Sequence, residues 1–344
     1  MNNEQKQDIA FEVIKILKSR LDSFPSNLTI TRNAPFHKAF LQAFSTNFAD
    51  LNLNMDASIA ISSWIHGLNT TLGQSFFEKV AQILSGGQKR TFQGNFIYQT
   101  QRNVISEIMT DLKNNQHTPS VIMENNLIAS NSNGELTSVS NFTVDCFIED
   151  TDKIIAIELK SVRPNSGEIR GEKQKILLAK AALKQLYPNK RIFYYFGFPF
   201  DPLSNTETDY DKQRFMNHII EFHKFCDIEE ILISSELWNL LSGQEHTMED
   251  ILQIIRSIST VDFNDKFDFI SSSNYLTDIE RYKNIMSSWN ICNEIEIANS
   301  FNNLLTLSKT NRNIYRNVHS SPFNQNGEYN IRRYTTLKNF LANK

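Results

Sequence analysis

Cysteine is scarce in this chain of 344 residues: Cys146, Cys226 and Cys292 stand far apart with no CxxC spacing. That speaks against a zinc site or a disulfide framework and fits a reducing cytoplasm. None of the seven histidines shows the HxH or HExxH spacing of a metal-binding pair, and His37, after Pro35-Phe36, reads as a hydrogen-bonded packing residue. No apolar run approaches the roughly 20 residues a membrane helix needs. The first residues, Met1 to Asp8, lack a basic stretch followed by an apolar one. Nothing therefore points to export or a membrane span, and the expected location is the cytoplasm. No internal repeat or low-complexity tract is evident. A hydrophobic fraction of 40% against 21% charged is ordinary for a folded globular protein, and 25 Phe imply a core rich in aromatic rings.

The net charge of −3 does not advertise a nucleic-acid binder, but the charge is unevenly placed. Seven basic residues (Lys309, Arg312, Arg316, Arg332, Arg333, Lys338, Lys344) stand against Glu328 alone from Ser308 onward. That segment carries +6 and leaves −9 for the remainder. Phosphate contacts need local, not global, positive charge, so this is what a DNA-facing segment on an acidic body looks like. A solvated tail would look the same.

Apolar spacing predicts a helix over Gln5–Leu21, further helix through Phe40, Leu41, Phe44 and Phe48, and another over Thr71–Leu84 stopped by Gly86-Gly87. The period then changes. Short apolar strands are predicted at Ser120–Glu124, Phe142–Ile148, Lys153–Lys160, Arg191–Phe198 and Glu229–Ser234, the first two in a hairpin-rich meander. The predicted helix Gly171–Tyr187 is long enough for a crossover that makes the strands on either side of it parallel. After about Glu236 the pattern is helical again. The fold class is α/β or α+β, with a central mixed β-sheet flanked by helices and helical N- and C-terminal regions. As domains this gives residues 1–60, a core over 61–235, and 236–344.

Chemistry concentrates at Lys153–Lys160, Lys-Ile-Ile-Ala-Ile-Glu-Leu-Lys. Both faces start apolar, as in a central strand, yet the far end puts Glu158 and Lys160 on one face. The preceding strand isolates Asp145 on the face opposite Phe142, Val144, Cys146 and Ile148, and a hairpin pairing sets Asp145 beside Glu158. Two converging carboxylates suit Mg²⁺, with the backbone carbonyl of Leu159 as a third protein oxygen. Lys160 beside such a metal can lower the pKa of a bound water or align it, which makes phosphodiester hydrolysis the reaction class. Glu78, on a neighbouring helix, is a candidate extra acid. The bare acid-x-Lys triplet also occurs at Glu4-Gln5-Lys6 and Asp111-Leu112-Lys113, and a salt bridge at a strand end would produce it too. Only the third copy ends an apolar strand preceded by a strand with a lone Asp.

Longer segments carry a resemblance: Thr70-Thr71-Leu72-Gly73-Gln74-Ser75-Phe76-Phe77-Glu78, Val144-Asp145-Cys146-Phe147, and above all Ile157-Glu158-Leu159-Lys160-Ser161-Val162-Arg163-Pro164-Asn165. It continues through Gly171-Glu172-Lys173-Gln174-Lys175-Ile176-Leu177, Ala179-Lys180-Ala181-Ala182-Leu183 and Gly197-Phe198-Pro199-Phe200-Asp201-Pro202. On these the chain resembles the PD-(D/E)xK nucleases and, within them, type II restriction endonucleases of the TdeIII type, from about Ala34 to Asn205. Val144 stands where the motif name has Pro, a loose position. The resemblance implies a restriction-endonuclease-like core, Mg²⁺-dependent cleavage of both strands of double-stranded DNA at a short, roughly palindromic site such as GGNCC, and a homodimer whose symmetry mirrors that of the DNA. A companion DNA methyltransferase is expected in the same system.

Around that core, Gln174 is a candidate to reach the catalytic water or substrate from the following helix. Arg163, Arg170, Lys173 and Lys175 are candidates to neutralise phosphates beside the scissile bond. Arg312, Arg316, Arg332 and Arg333 are candidates for contacts with DNA bases. For each, a solvated face is the alternative. The loop Ser85–Arg90 could approach a DNA backbone, but Gly86-Gly87 reads first as a helix terminator. Two other functions fit the same residues: a PD-(D/E)xK nuclease of repair or recombination that recognises DNA structure, and a DNA-binding protein whose acidic pair is only structural.

Overall fold

The computed structural model describes residues 1–25, 41, 45, 52, 54–160 and 166–342. They fall into two compact units, Met1 with Phe77–Leu252 and Asn2–Phe76 with Gln253–Lys344.

The first unit is built on strands β1 (Gln88–Phe92), β2 (Phe96–Tyr98), β3 (Leu136–Ser138), β4 (Phe142–Glu149), β5 (Lys153–Leu159), β6 (Arg191–Phe198) and β7 (Ile231–Ile233). The main sheet runs β1-β4-β5-β6-β7, while β2 and β3 pair separately. β1, β4 and β5 are antiparallel neighbours, and β5, β6 and β7 are parallel. The polar turn after β4 closes the β4–β5 hairpin through the Asp150 N–H, which donates to the Lys153 carbonyl at 2.9 Å. Helix Ser166–Leu186 makes the crossover between β5 and β6, so the expected parallel pair forms. Its apolar face, with Ile176, Leu177 and Leu183, buries Ile154, Ala156, Tyr194 and Phe196 of the sheet. On the sheet's other face the packing is so tight at Gly197 that a Cβ there would stand 2.8 Å from Ile157 and 2.9 Å from Leu159. Only glycine admits that approach.

Three local expectations are corrected. Ser120–Glu124 is not a strand but the start of helix Val121–Ser130: the Ser120 hydroxyl accepts the Met123 N–H, and Glu124 turns inward to a buried partner. An N-cap and a tertiary ion pair override the β preference of Val-Ile, so the expected meander starts instead from β3. Second, the helix expected over Thr71–Leu84 starts at Phe77, after a π-helical turn at Leu72–Phe76. It ends as expected at Gly86, whose φ of +66° suits a residue without Cβ. Third, Gln88–Phe92 forms a strand, and its first three residues, Gln88–Arg90, fall in the Ser85–Arg90 segment read as a loop.

The second unit is helical in its described residues. Its first helix, Asn3–Asp22, opens with a reciprocal Asn2/Gln5 capping box. The buried Gln7 side chain accepts the Asn293 N–H at 2.8 Å, which joins residues from opposite ends of the chain in one core. Glu294, on helix Cys292–Asn299, pairs with Arg333 on helix Ile331–Ala342. Arg333 is only 1% exposed, which corrects its reading as a base-contacting residue: the cation is consumed inside the helical core. Among the described residues, no helix is long and apolar enough to cross a membrane.

Candidate active site

The site starts from an irregularity in β4. β1 and β4 match Gln88 to Phe147 and Arg90 to Val144, so Asp145 and Cys146 together oppose the single residue Lys89. This is a β-bulge, which twists a strand and re-aims its side chains. It also breaks the alternation expected for β4: Phe142, Val144 and Phe147 join one core, and Cys146 faces the other way with its Sγ 3.3 Å from Ser85 Oγ. Burial pushes the Cys146 thiol up to about 11. Asp145 sits at the switch. Regular β4–β5 pairing runs only from Cys146–Ile157 to Glu149–Ile154, and beyond it the Leu159 N–H donates to Asp145 Oδ2 at 3.0 Å. The carboxylate is thereby fixed against the end of β5, beside Glu158.

Glu158 and Lys160 close that strand. The Lys160 N–H donates to the Gly197 carbonyl at 2.9 Å, which extends the ladder past β5 and fixes the lysine's backbone. Its ammonium lies 3.2 Å from Glu158 Oε1 and 3.0 Å from Glu172 Oε1. Lys175 lies 2.8 Å from the same Glu158 oxygen and 3.2 Å from Glu172 Oε2. Glu158 Oε2 is buried with no hydrogen-bond partner. On the third side, Lys89 reaches Glu78 at 2.8 and 3.1 Å and Asp145 Oδ1 at 3.4 Å.

The electrostatics follow the burial. Desolvation, and then the Glu78 charge, raise the Asp145 carboxyl above its ordinary range despite the Leu159 N–H and Lys89. Glu158 is raised by burial and then by Asp145, against the pull of Lys160 and Lys175. Burial draws the Lys160 ammonium down, but Glu158 and Glu172 outweigh it and the net shift is upward. Tyr194, opposite Ala156 on the neighbouring strand, keeps a buried hydroxyl without a partner. Burial first, then Glu158, Asp145 and Glu172, hold that hydroxyl far above its usual value.

The structure thus brings together Asp145, Glu158, Lys160, Glu78 and Lys175, with the Leu159 backbone at their centre. It does not bring in Gln174. Glu172 and Lys175 are three residues apart on the inward face of helix Ser166–Leu186, whereas Gln174, turned about 100° from Lys175, is exposed. Lys173 is corrected from a phosphate contact to a structural cation: it is fully buried, 2.7 Å from Glu124 and paired also with Glu230, which Lys180 approaches at 3.2 Å. Burial alone would push Glu230 up, but Lys173 and Lys180 hold it below the ordinary carboxylate range. Arg163 lies outside the described residues. Arg170, Arg312, Arg316 and Arg332 are exposed. Sequence reasoning missed Glu172, Lys89 and Tyr194. The i, i+3 spacing of Glu172 and Lys175 was the available signal for the first, and neither of the others had one.

The donor set fits a hard divalent cation. Two carboxylates lie together at the end of β5, both raised first by burial and then by a neighbouring carboxylate, and a buried carboxylate oxygen has no donor. Among the described residues, no group of three or more His, Cys, Asp or Glu could hold a metal ion by itself. A two-carboxylate site depends on a backbone carbonyl, waters and phosphate oxygens for the rest, which is the habit of Mg²⁺.

A mixed five-stranded sheet that presents an aspartate on a bulge beside an acid-x-lysine triplet at the end of the neighbouring strand, backed by a crossover helix, defines the class: a nuclease of the restriction-endonuclease-like fold. Comparison with known families makes it more particular. Residues 1–259 match the family described as type II restriction endonuclease, HinfI. The chain belongs to that family and is a site-specific type II deoxyribonuclease acting on double-stranded DNA. It is 43% identical over 351 residues to the type II restriction enzyme MjaII of Methanocaldococcus jannaschii, covering 95% of this chain and 94% of the relative. The family match includes Asp145, Glu158 and Lys160 and ends before the basic C-terminal segment.

Proposed function

We propose that the chain cuts DNA with Mg²⁺ held by Asp145, Glu158 and the backbone carbonyl of Leu159. The observation that carries this reading is the unpartnered, buried Glu158 Oε2 beside Asp145. Mg²⁺ held there would supply Lewis acidity to the scissile phosphate and would make an attacking water easier to deprotonate. Lys160 orients the attacking water and offsets charge that grows on the phosphate as the new P–O bond forms and the ester P–O bond breaks. Glu172 and Glu158 hold that ammonium from two sides. Lys175, 30% exposed, neutralises an approaching phosphate from the same helix face. Glu78 acts as an outer acid. Arg170, Arg312, Arg316 and Arg332 are exposed cations suited to the DNA backbone and grooves, and Arg163 is a further candidate from its place after the motif.

Cutting both strands at a short palindromic site calls for two copies of the site, so we infer a homodimer with a partner methyltransferase that protects the same sequence. Three free cysteines support a reducing cytoplasm as the working compartment. Plasmid digestion tests the function. Discrete fragments with Mg²⁺ and none with chelator are expected, and sequencing the fragment ends gives the site and the stagger. A smear, or cutting unaffected by chelation, overturns the reading.

A further inference from the structure

Lys89 occupies the place between two acids. Its ammonium contacts both oxygens of Glu78, from helix Phe77–Ser85, and approaches Asp145 from the strand opposite the bulge. Gly87 allows this closeness, because a Cβ there would meet the Phe147 carbonyl at 2.9 Å and Cys146 Sγ at 3.0 Å. Carboxylates aimed at one point repel each other unless a cation lies between them. Three ammonium groups (Lys89, Lys160, Lys175) face four carboxylates (Glu78, Asp145, Glu158, Glu172) across these contacts. A site at −1 becomes +1 on taking a divalent ion, which favours release of one ammonium. All three lysines hold two carboxylates, but Lys160 and Lys175 are only 13% and 30% exposed, whereas Lys89 is 49% exposed on a flexible, well-hydrated stem and is the one freest to leave.

We propose that Lys89 is the resident counter-cation of the Glu78–Asp145 pair, that a divalent metal displaces it, and that it thereby sets the metal affinity of the DNA-free enzyme. This rests on the reading of Asp145 and Glu158 as metal ligands. Displaced, the ammonium turns outward, where an incoming phosphate is its new partner.

The test is a calorimetric titration of Mn²⁺ into the full chain without DNA. Lys89→Met is expected to bind Mn²⁺ about tenfold tighter than the parent, the scale of removing one half-exposed neighbouring charge, and Lys89→Arg to match the parent. Unchanged or weaker binding by Lys89→Met overturns the proposal. Should that variant not fold, Lys89→Gln keeps a donor to Glu78 without the charge and is read by the same criteria. The Mn²⁺-induced rise in thermal midpoint is expected to be larger for the neutral variant, by linkage. Asp145→Asn, made in both backgrounds, separates the two claims. Binding that persists undiminished in Asp145→Asn sinks the metal reading itself, while binding that needs Asp145 yet is not tightened by Lys89→Met sinks only the role of Lys89.

Discussion

Glu294 in the helical unit accepts four hydrogen bonds: Oε1 from Tyr329 at 2.8 Å and Arg333 at 2.8 Å, Oε2 from Tyr282 at 2.7 Å and Arg333 at 2.7 Å. Glu158 in the sheet unit is also buried among cations, but Oε1 takes Lys160 and Lys175 while Oε2 takes nothing. Both clusters would read alike in a census of salt bridges. They differ in saturation. A buried carboxylate with every lone pair used has nothing left to bind, so it ties helices together, whereas one left short of donors keeps capacity for a ligand at a cost to the folded state. The Glu124–Lys173–Glu230–Lys180 cluster belongs with Glu294, although it is carried by the same helix that serves the site.

Substituting each acid breaks this comparison most directly. Glu158→Gln is expected to lower the cleavage rate roughly 10³-fold or more, since a lost metal ligand removes several kcal/mol of transition-state stabilisation, while the melting curve stays near that of the parent. Single-turnover cleavage and circular dichroism check both halves. Glu294→Gln is expected to do the reverse, destabilising the fold by about 3–5 kcal/mol because Arg333 loses its buried partner. Denaturant titration measures this, and a midpoint unchanged from the parent would place the pair among idle contacts.

A smaller effect sharpens the contrast through pH. Asp145 has a raised carboxyl, for reasons of burial and then Glu78. Above that raised value the side chain is ionised in both folded and unfolded chains, and the folded state bears the cost. As pH falls the folded state takes the proton first, and the cost is relieved until the unfolded chain is protonated as well. Metal-free Asp145→Asn should therefore melt a few degrees above the parent at pH 8, the scale of roughly 1 kcal/mol in a unit of this size. The gap should narrow through and just above the ordinary carboxylate range; a gap that widens on acidification contradicts the sign.

The smallest effect concerns the arginines. Arg316→Ala, on an exposed face, is expected to weaken DNA binding evenly across sequences and to lower the slope of log affinity against log salt by about 1. Arg333→Met should leave that slope unchanged, and fluorescence anisotropy at several salt concentrations tells the two apart.

Much of this was legible in local patterns. The apolar run of β5 ending in Glu-Leu-Lys, the lone aspartate of β4, the polar turn between them and the crossover helix are all read along a few consecutive residues, where alternation and helical period act. The triplet, the reaction class and the parallel order of β5 and β6 followed. Less visible were features that depend on residues far apart in the chain. Nothing near Lys89 says that Gly87 lets β1 close on β4, and Lys173, read as a phosphate contact or a solvated cation, meets Glu124, 49 residues away at the end of a predicted strand, only in the fold.

The amino-acid order alone determined which strands carry acids, which helix follows them and which chemistry two carboxylates and a lysine can perform, because strand alternation and helix periodicity are properties of neighbours. Tertiary structure alone decided that Asp145 sits on a bulge, that Glu172 and Lys175 face inward while Gln174 faces out, and that Lys173 and Arg333 are spent on buried acids. Those outcomes depend on register, on helix rotation and on which charges lose their water, and each is set by packing between segments that no local pattern connects.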